Sequence, residues 1–149
     1  MPTRILLASD GSPGALQAAQ WLDRFADLTL MYVTVMTVIP ASLGLGQIAY
    51  VVDPNIHTQL MDAVIAEAEE AARQTVDVMP RLHPPWFTQI APNIVQAILD
   101  AAAEQAVDII VVGRRGHGTW SSTLLGSVSL RLITHSPRPV WVIPPMASS

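Results

Sequence analysis

The chain has 149 residues, half of them hydrophobic and 13% charged, which is enough to bury a sizeable core and too apolar for disorder. Its net charge of −4, carried with eight arginines and no lysine, argues against nonspecific nucleic-acid binding. With no cysteine, a disulfide framework and a zinc–thiolate site are excluded.

In chain order, Arg4-Ile5-Leu6-Leu7-Ala8-Ser9 reads as a buried strand that ends in the turn Asp10-Gly11-Ser12-Pro13. Ser12 is the expected N-cap of a first helix and Pro13 its first helical position. Ala15, Ala18, Ala19, Leu22, Phe25 and Ala26 follow helical spacing, and the helix should fade near Leu28. Tyr32 to Ile39, rich in β-branched residues and stopped by Pro40, is the second strand. Ala41 to Val52 has no clear period and reads as an apolar loop containing Gly44 and Gly46. Asp53-Pro54 then opens a second helix, with Leu60, Met61, Val64, Ala68, Ala71 and Ala72 as its buried stripe.

Pro80 and Pro84-Pro85 end that helix, and Trp86 to Ile90 is a weak third strand. Pro92 opens a third helix with Ile94, Ala97, Ile98, Ala101 and Ala102 on its inner face. Val107 to Val112 is the clearest strand in the chain. A glycine-rich stretch from Gly113 to Gly126, a helix to about His135 and a strand from Val140 to Ile143 complete the order. Apolar strands alternating with amphipathic helices predict an α/β fold, a doubly wound five-stranded parallel sheet with helices on both faces. Ligands of such sheets sit at the carboxyl ends of the strands, near the switch in strand order. Those ends carry Asp10, the segment after Val38 and the Gly113 loop.

The stretch Gly113-Arg114-Arg115-Gly116-His117-Gly118, continued to Gly126-Ser127-Val128-Ser129, carries the most chemistry. Its glycines allow a backbone to approach an anion and turn N–H groups toward it. Gly126-Ser127 at a helix start adds free backbone donors, a hydroxyl and the positive end of the dipole, and Ser129 could reach the same anion. An added methyl at Gly126 would take phosphate space and meet a positive φ. The plain alternative is a glycine turn after a strand. A Walker loop is excluded because it requires lysine, and a dehydrogenase fingerprint fails because the glycines follow the fourth strand. His57 and His83 read as exposed, and His135 suits the C-terminal end of a helix dipole. The tryptophans read as packing residues, Trp120 being the one placed to cover a ligand. Asp10, His117 and Ser127 do not make a catalytic triad, since no nucleophile elbow is present.

Taken together, Ala8-Ser9-Asp10-Gly11-Ser12, the run Val107 to Gly113, the spacing Gly113-x2-Gly116-x9-Gly126-Ser127 and the closing Ser136 to Pro144 resemble the universal stress protein family over essentially the whole length. The resemblance implies one domain over 1–149 with an adenine-nucleotide alpha-hydrolase-like, Rossmann-like sheet, and it implies the ATP-binding subgroup that carries the glycine signature. Adenosine would lie near Asp10, which would accept from the ribose hydroxyls, and near the backbone of Val38. Val112 and Gly113 would line the pocket floor. Arg114 and Arg115 would supply charge, and Gly116, Gly126, Ser127, Val128 and Ser129 would hold the phosphates. Asp10 has a second possible role, as the Asx residue of the turn before Gly11. Ala91 departs from the family's usual glycine before Pro92. The loop from Ala41 to Val52 would lie beside the nucleotide and either become ordered by it or simply pack on the second helix.

The expected function is an ATP-binding regulatory or stress-response protein, with ATP, ADP or AMP as ligand and Mg2+ accompanying it. A homodimer or higher homo-oligomer, paired through an edge strand Val140 to Ile143, and an unidentified regulated partner go with that reading. A slow ATPase or phosphotransferase is the alternative. It lacks a general base, a metal-binding carboxylate cluster and a lysine clamp, so no catalytic residue is assigned. The longest apolar-rich run, Leu28 to Ile39, falls short of the roughly 20 residues of a membrane span. Met1 to Asp10 leaves no room for a signal peptide. A cytoplasmic location without membrane insertion is therefore expected.

Overall fold

The computed structural model describes residues 1–41, 53–114 and 126–145. The expectations placed on residues 42–52, and on Arg115, Gly116, His117 and Trp120, lie outside the described residues. The elements are β1 (Thr3–Ala8), α1 (Pro13–Phe25), β2 (Met31–Pro40), α2 (Pro54–Asp77), β3 (Trp86–Ala91), α3 (Ile94–Glu104), β4 (Ile109–Gly113), α4 (Ser127–His135) and β5 (Val140–Ile143). All strand pairs are parallel, in the order β3-β2-β1-β4-β5. The doubly wound α/β sheet expected from the sequence is the fold observed.

β1 is central and apolar on both faces, which is why it reads as an unbroken apolar run. Ile5 and Leu7 point into a core cluster with Ala18, Leu22 and Val76, under α1 and α2. Leu6, between them, points into the opposite cluster with Ile98, Ala102 and Leu132, under α3 and α4. Ile5, Leu6 and Leu7 are all at most 1% exposed, and each contributes roughly 1.5–3 kcal/mol of burial.

The helix starts follow from local chemistry. Ser12 accepts from the Ala15 N–H, Asp53 from Asn55 and Asn93 from Gln96, and Pro13 and Pro54 occupy first-turn positions. Pro92 therefore precedes the cap of α3 rather than opening the helix. α1 stops at Phe25, earlier than Leu28, because Ala26 turns extended and Asp27 builds its own turn. Asp27 Oδ1 accepts from the Thr29 hydroxyl at 2.6 Å and the Thr29 N–H at 2.8 Å. These bonds, the hydroxyl first, hold its carboxyl below the usual carboxylate value. Phe25 is 53% exposed rather than part of the inner stripe, and it stacks on Trp21 at 4.9 Å.

In α2 the buried residues are Ala68, Ala72, Thr75 and Val76, whereas Leu60 is exposed. Twenty-four helical residues span about 36 Å, against roughly 20 Å for a six-residue strand. The stripe read from the sequence is fully buried only in the C-terminal part of α2.

That C-terminal half clamps the turn after β1. The Gly11 N–H donates to Ser9 Oγ at 3.2 Å, Ser9 Oγ lies 2.7 Å from Thr75 Oγ1, and Thr75 Oγ1 donates to the Ala71 carbonyl at 2.7 Å. Since the Thr75 proton goes to Ala71, Ser9 is the donor between the two hydroxyls, and every proton has an acceptor. Gly11 has φ +76, and a Cβ there would lie 2.8 Å from Ala71 Cβ. Gly11→Ala is expected to cost roughly 1–3 kcal/mol through backbone strain and overpacking. Thr75→Val should cost a similar roughly 1–3 kcal/mol by leaving the buried Ser9 hydroxyl without its acceptor. Urea denaturation measures both, and unchanged midpoints would refute the clamp.

Candidate functional site at the carboxyl ends of β1 and β4

From β1 the chain winds outward through β2 and β3, then returns to place β4 on the other side of β1. Ala8 is in register with Val112, so the two strands end side by side at the switch in winding direction. Such a point opens a crevice between diverging connections. Asp10 follows one strand and Arg114 the other.

Asp10 is exposed, and its Oδ1 accepts from the Ser12 N–H at 2.9 Å. This is the Asx-turn role that the sequence offered as an alternative. It fixes the carboxylate in the turn after β1. Gly113 ends β4 against the first turn of α1. A Cβ on Gly113 would lie 2.8 Å from the Gly14 carbonyl oxygen and 2.9 Å from its carbon. Gly113 therefore serves close packing of strand on helix, where the sequence reading gave it the pocket floor. The Val112 side chain is 4% exposed within the α3/α4 core, and half-buried Val38 packs against the same cluster.

The two ends of the glycine-rich segment are joined at their base. The Gly126 N–H donates to the Arg114 carbonyl at 2.8 Å, and the Arg114 N–H donates to Ile143 O at 2.9 Å. Ser129, 3% exposed, donates its hydroxyl to Gly113 O at 2.8 Å, with Arg114 O at 3.3 Å. The Ser129 proton is thus engaged by backbone carbonyls, and the side chain acts as a tie between α4 and β4 rather than as a donor facing an anion.

At the start of α4, Gly126 has φ −66 and ψ 158. That is ordinary extended backbone, so the positive φ expected there is corrected. α1, α2 and α3 each have a side-chain cap, whereas no side chain caps α4. Its first turn, with Ser127 exposed and Val128 half-buried, points the positive end of the dipole toward the carboxyl edge of the sheet. Of the other candidates, His57 is half-buried and His83 exposed in a turn at φ 42, and His135 ends α4 as expected. Trp21 and Trp141 pack edge to face, and Arg73 lies over Trp86 at 5.6 Å.

The sequence reading gave no role to Thr75 or Gly14. Thr75 continues the stripe of Ala68 and Ala72, and that spacing was the available signal. Gly14 inside a helical first turn signals a close approach by another backbone. In the nucleotide-free protein, Ser129→Ala is expected to lower stability by roughly 0.5–1.5 kcal/mol, and exposed Ser127→Ala to leave it unchanged. Thermal or urea unfolding distinguishes the two, and equal effects would contradict the tie.

A model of the universal stress protein family matches residues 1–144. The chain is 31% identical over 147 residues to universal stress protein Rv2623 of Mycobacterium tuberculosis, a match covering 93% of this chain and 46% of that protein. It thus spans about half the length of the curated relatives it matches. The solved structure of universal stress protein UspA from Lactobacillus plantarum superposes with a TM-score of 0.72 at 26% identity, over 95% of this chain and 97% of that one. Protein MJ0577 superposes with a TM-score of 0.78 at 23% identity over 99% of both chains, a likeness of fold. Universal stress proteins solved with dAMP, from Archaeoglobus fulgidus, and with cAMP share the fold at TM-scores of 0.60 and 0.57, at 18% and 19% identity. The Archaeoglobus match covers 96% of this chain and 97% of that one, and the cAMP complex 97% and 98%. By its sequence, from the turn after β1 to the closing strand, the chain belongs to the universal stress protein family.

Proposed function

We propose that the chain is an adenine-nucleotide-binding module of the ATP-binding subgroup, and that nucleotide occupancy is the state a partner reads. The observation that carries this is the juxtaposition at the switch point. Asp10 is fixed beside the end of β1, and the Arg114–Gly126 bond brings the two described ends of the signature, Gly113 and Gly126-Ser127, to the adjacent end of β4. The uncapped start of α4 supplies backbone donors and a dipole suited to phosphate. The relatives solved with dAMP and cAMP support the same class of ligand.

In this reading Asp10 receives the ribose hydroxyls, and Gly116, Gly126, Ser127 and Val128 surround the phosphates. Arg114 and Arg115 add charge. Mg2+ would accompany the phosphates. No described helix is long and apolar enough to cross a membrane.

β5 is a sheet edge and carries no charged residue to discourage pairing. A homodimer through this edge accompanies the proposal, with Val142→Lys expected to give monomers in sedimentation. A monomeric wild type at micromolar concentration would refute it.

The nucleotide is tested by ion-exchange chromatography of a denatured extract of the purified protein, with ATP as the expected species. Gly126→Ala should weaken ATP binding in isothermal titration because its methyl takes phosphate space; unchanged affinity overturns that placement. Ser127→Ala should weaken it by roughly 1.5–3 kcal/mol, the range for a bond to a charged group. Wild type should prefer ATP to its dideoxy analogue and Asp10→Ala should not. An equal preference in both proteins would leave Asp10 as a turn residue.

A further inference from the structure

On the α3/α4 side of the sheet, away from the switch-point crevice, a groove of about 740 Å³ runs between the two helices. Its floor is apolar, formed by buried Val95 and half-buried Leu99. One wall carries the amides of Asn93 and Gln96, and the other carries Arg131, His135 and Arg138. Arg138 is pre-positioned, since its Nε donates to the Val107 carbonyl at 2.8 Å. Arg131 is exposed, and among the described residues its guanidinium has no carboxylate partner. The groove's carboxylate, Asp100, already accepts from Gln96 Nε2 at 2.8 Å. Two arginines against one engaged carboxylate make this a locally cationic site on a chain of net charge −4.

We infer that this groove binds an extended acidic peptide segment of a partner protein. The charge points to carboxylates, which arginine holds in forked geometry. The floor calls for an apolar side chain between them, and the amide atoms not used in capping α3 or bonding Asp100, Asn93 Nδ2 and Gln96 Oε1, suit a peptide backbone. From Asn93 to Ala103 the α3 wall rises about 15 Å, room for about four or five extended residues at roughly 3.3 Å each. An open trough of that length fits a chain passing through it better than a compact small molecule, whose sites enclose most of the ligand.

Fluorescence anisotropy with the labelled hexapeptide Glu-Glu-Leu-Glu-Glu-Leu, on the full chain, tests this. Saturable binding is expected, weakened roughly tenfold by Arg131→Glu and regained by that variant when the peptide's glutamates are replaced with lysines. Leu99→Asp is expected to weaken the same peptide independently of Arg131. Excess ATP should leave the peptide bound. No binding to wild type, an unchanged affinity in Arg131→Glu, equal binding of the lysine peptide to wild type, or displacement by ATP would each overturn the assignment.

Discussion

The carboxyl edge of this sheet depends on two approaches of backbone to neighbouring helix that a side chain would block. Gly113 lies against the Gly14 carbonyl, and Gly11 against Ala71. The first seats the start of α1 on the end of β4, and the second seats the turn after β1 on α2. Between them they fix the backbone around the ends of β1 and β4. A methyl at Gly113 would meet backbone atoms on a helix that is itself packed on the sheet, so relief would require moving α1.

Polar satisfaction then fixes what the glycines permit. Ser9, Thr75 and Ser129 are all at most 6% exposed, and each has a stated partner at this edge. Buried hydroxyls without partners are costly, so these three resist sliding of the turns. The result is a braced base at the ends of β1 and β4, with Asp10 exposed in the turn after β1 and Ser127 exposed at the start of α4. Among the described residues, no group of three or more potential metal-ligating side chains occurs.

Much of the fold was legible because period and capping agreed. The buried run at Ile5 to Leu7, the Ser12-Pro13 and Asp53-Pro54 starts and the strand Val140 to Ile143 all appear where the pattern put them. The misses have common causes. Phe25 and Leu60 fit their helical stripes, but periodicity assigns a face and not whether a neighbour lies under it. At the candidate site, spacing brought Asp10, Gly113 and Gly126 to one edge but could not tell a residue that faces a ligand from one that builds its support. The bond from Ser129 to Gly113 O and the contact of Gly113 with Gly14 join elements distant in sequence, so spacing alone did not show them.

The central claim is that this edge is where an adenine nucleotide sits. Amide chemical-shift mapping on titration with ATP tests it most directly, since it locates the ligand without altering the protein. The account predicts the largest shifts at Gly11, Ser12, Arg114, Ser127 and Val128, with the α3/α4 groove unmoved. Shifts centred on Gln96, Leu99 and Arg131, or a spectrum unchanged by ATP, would contradict it.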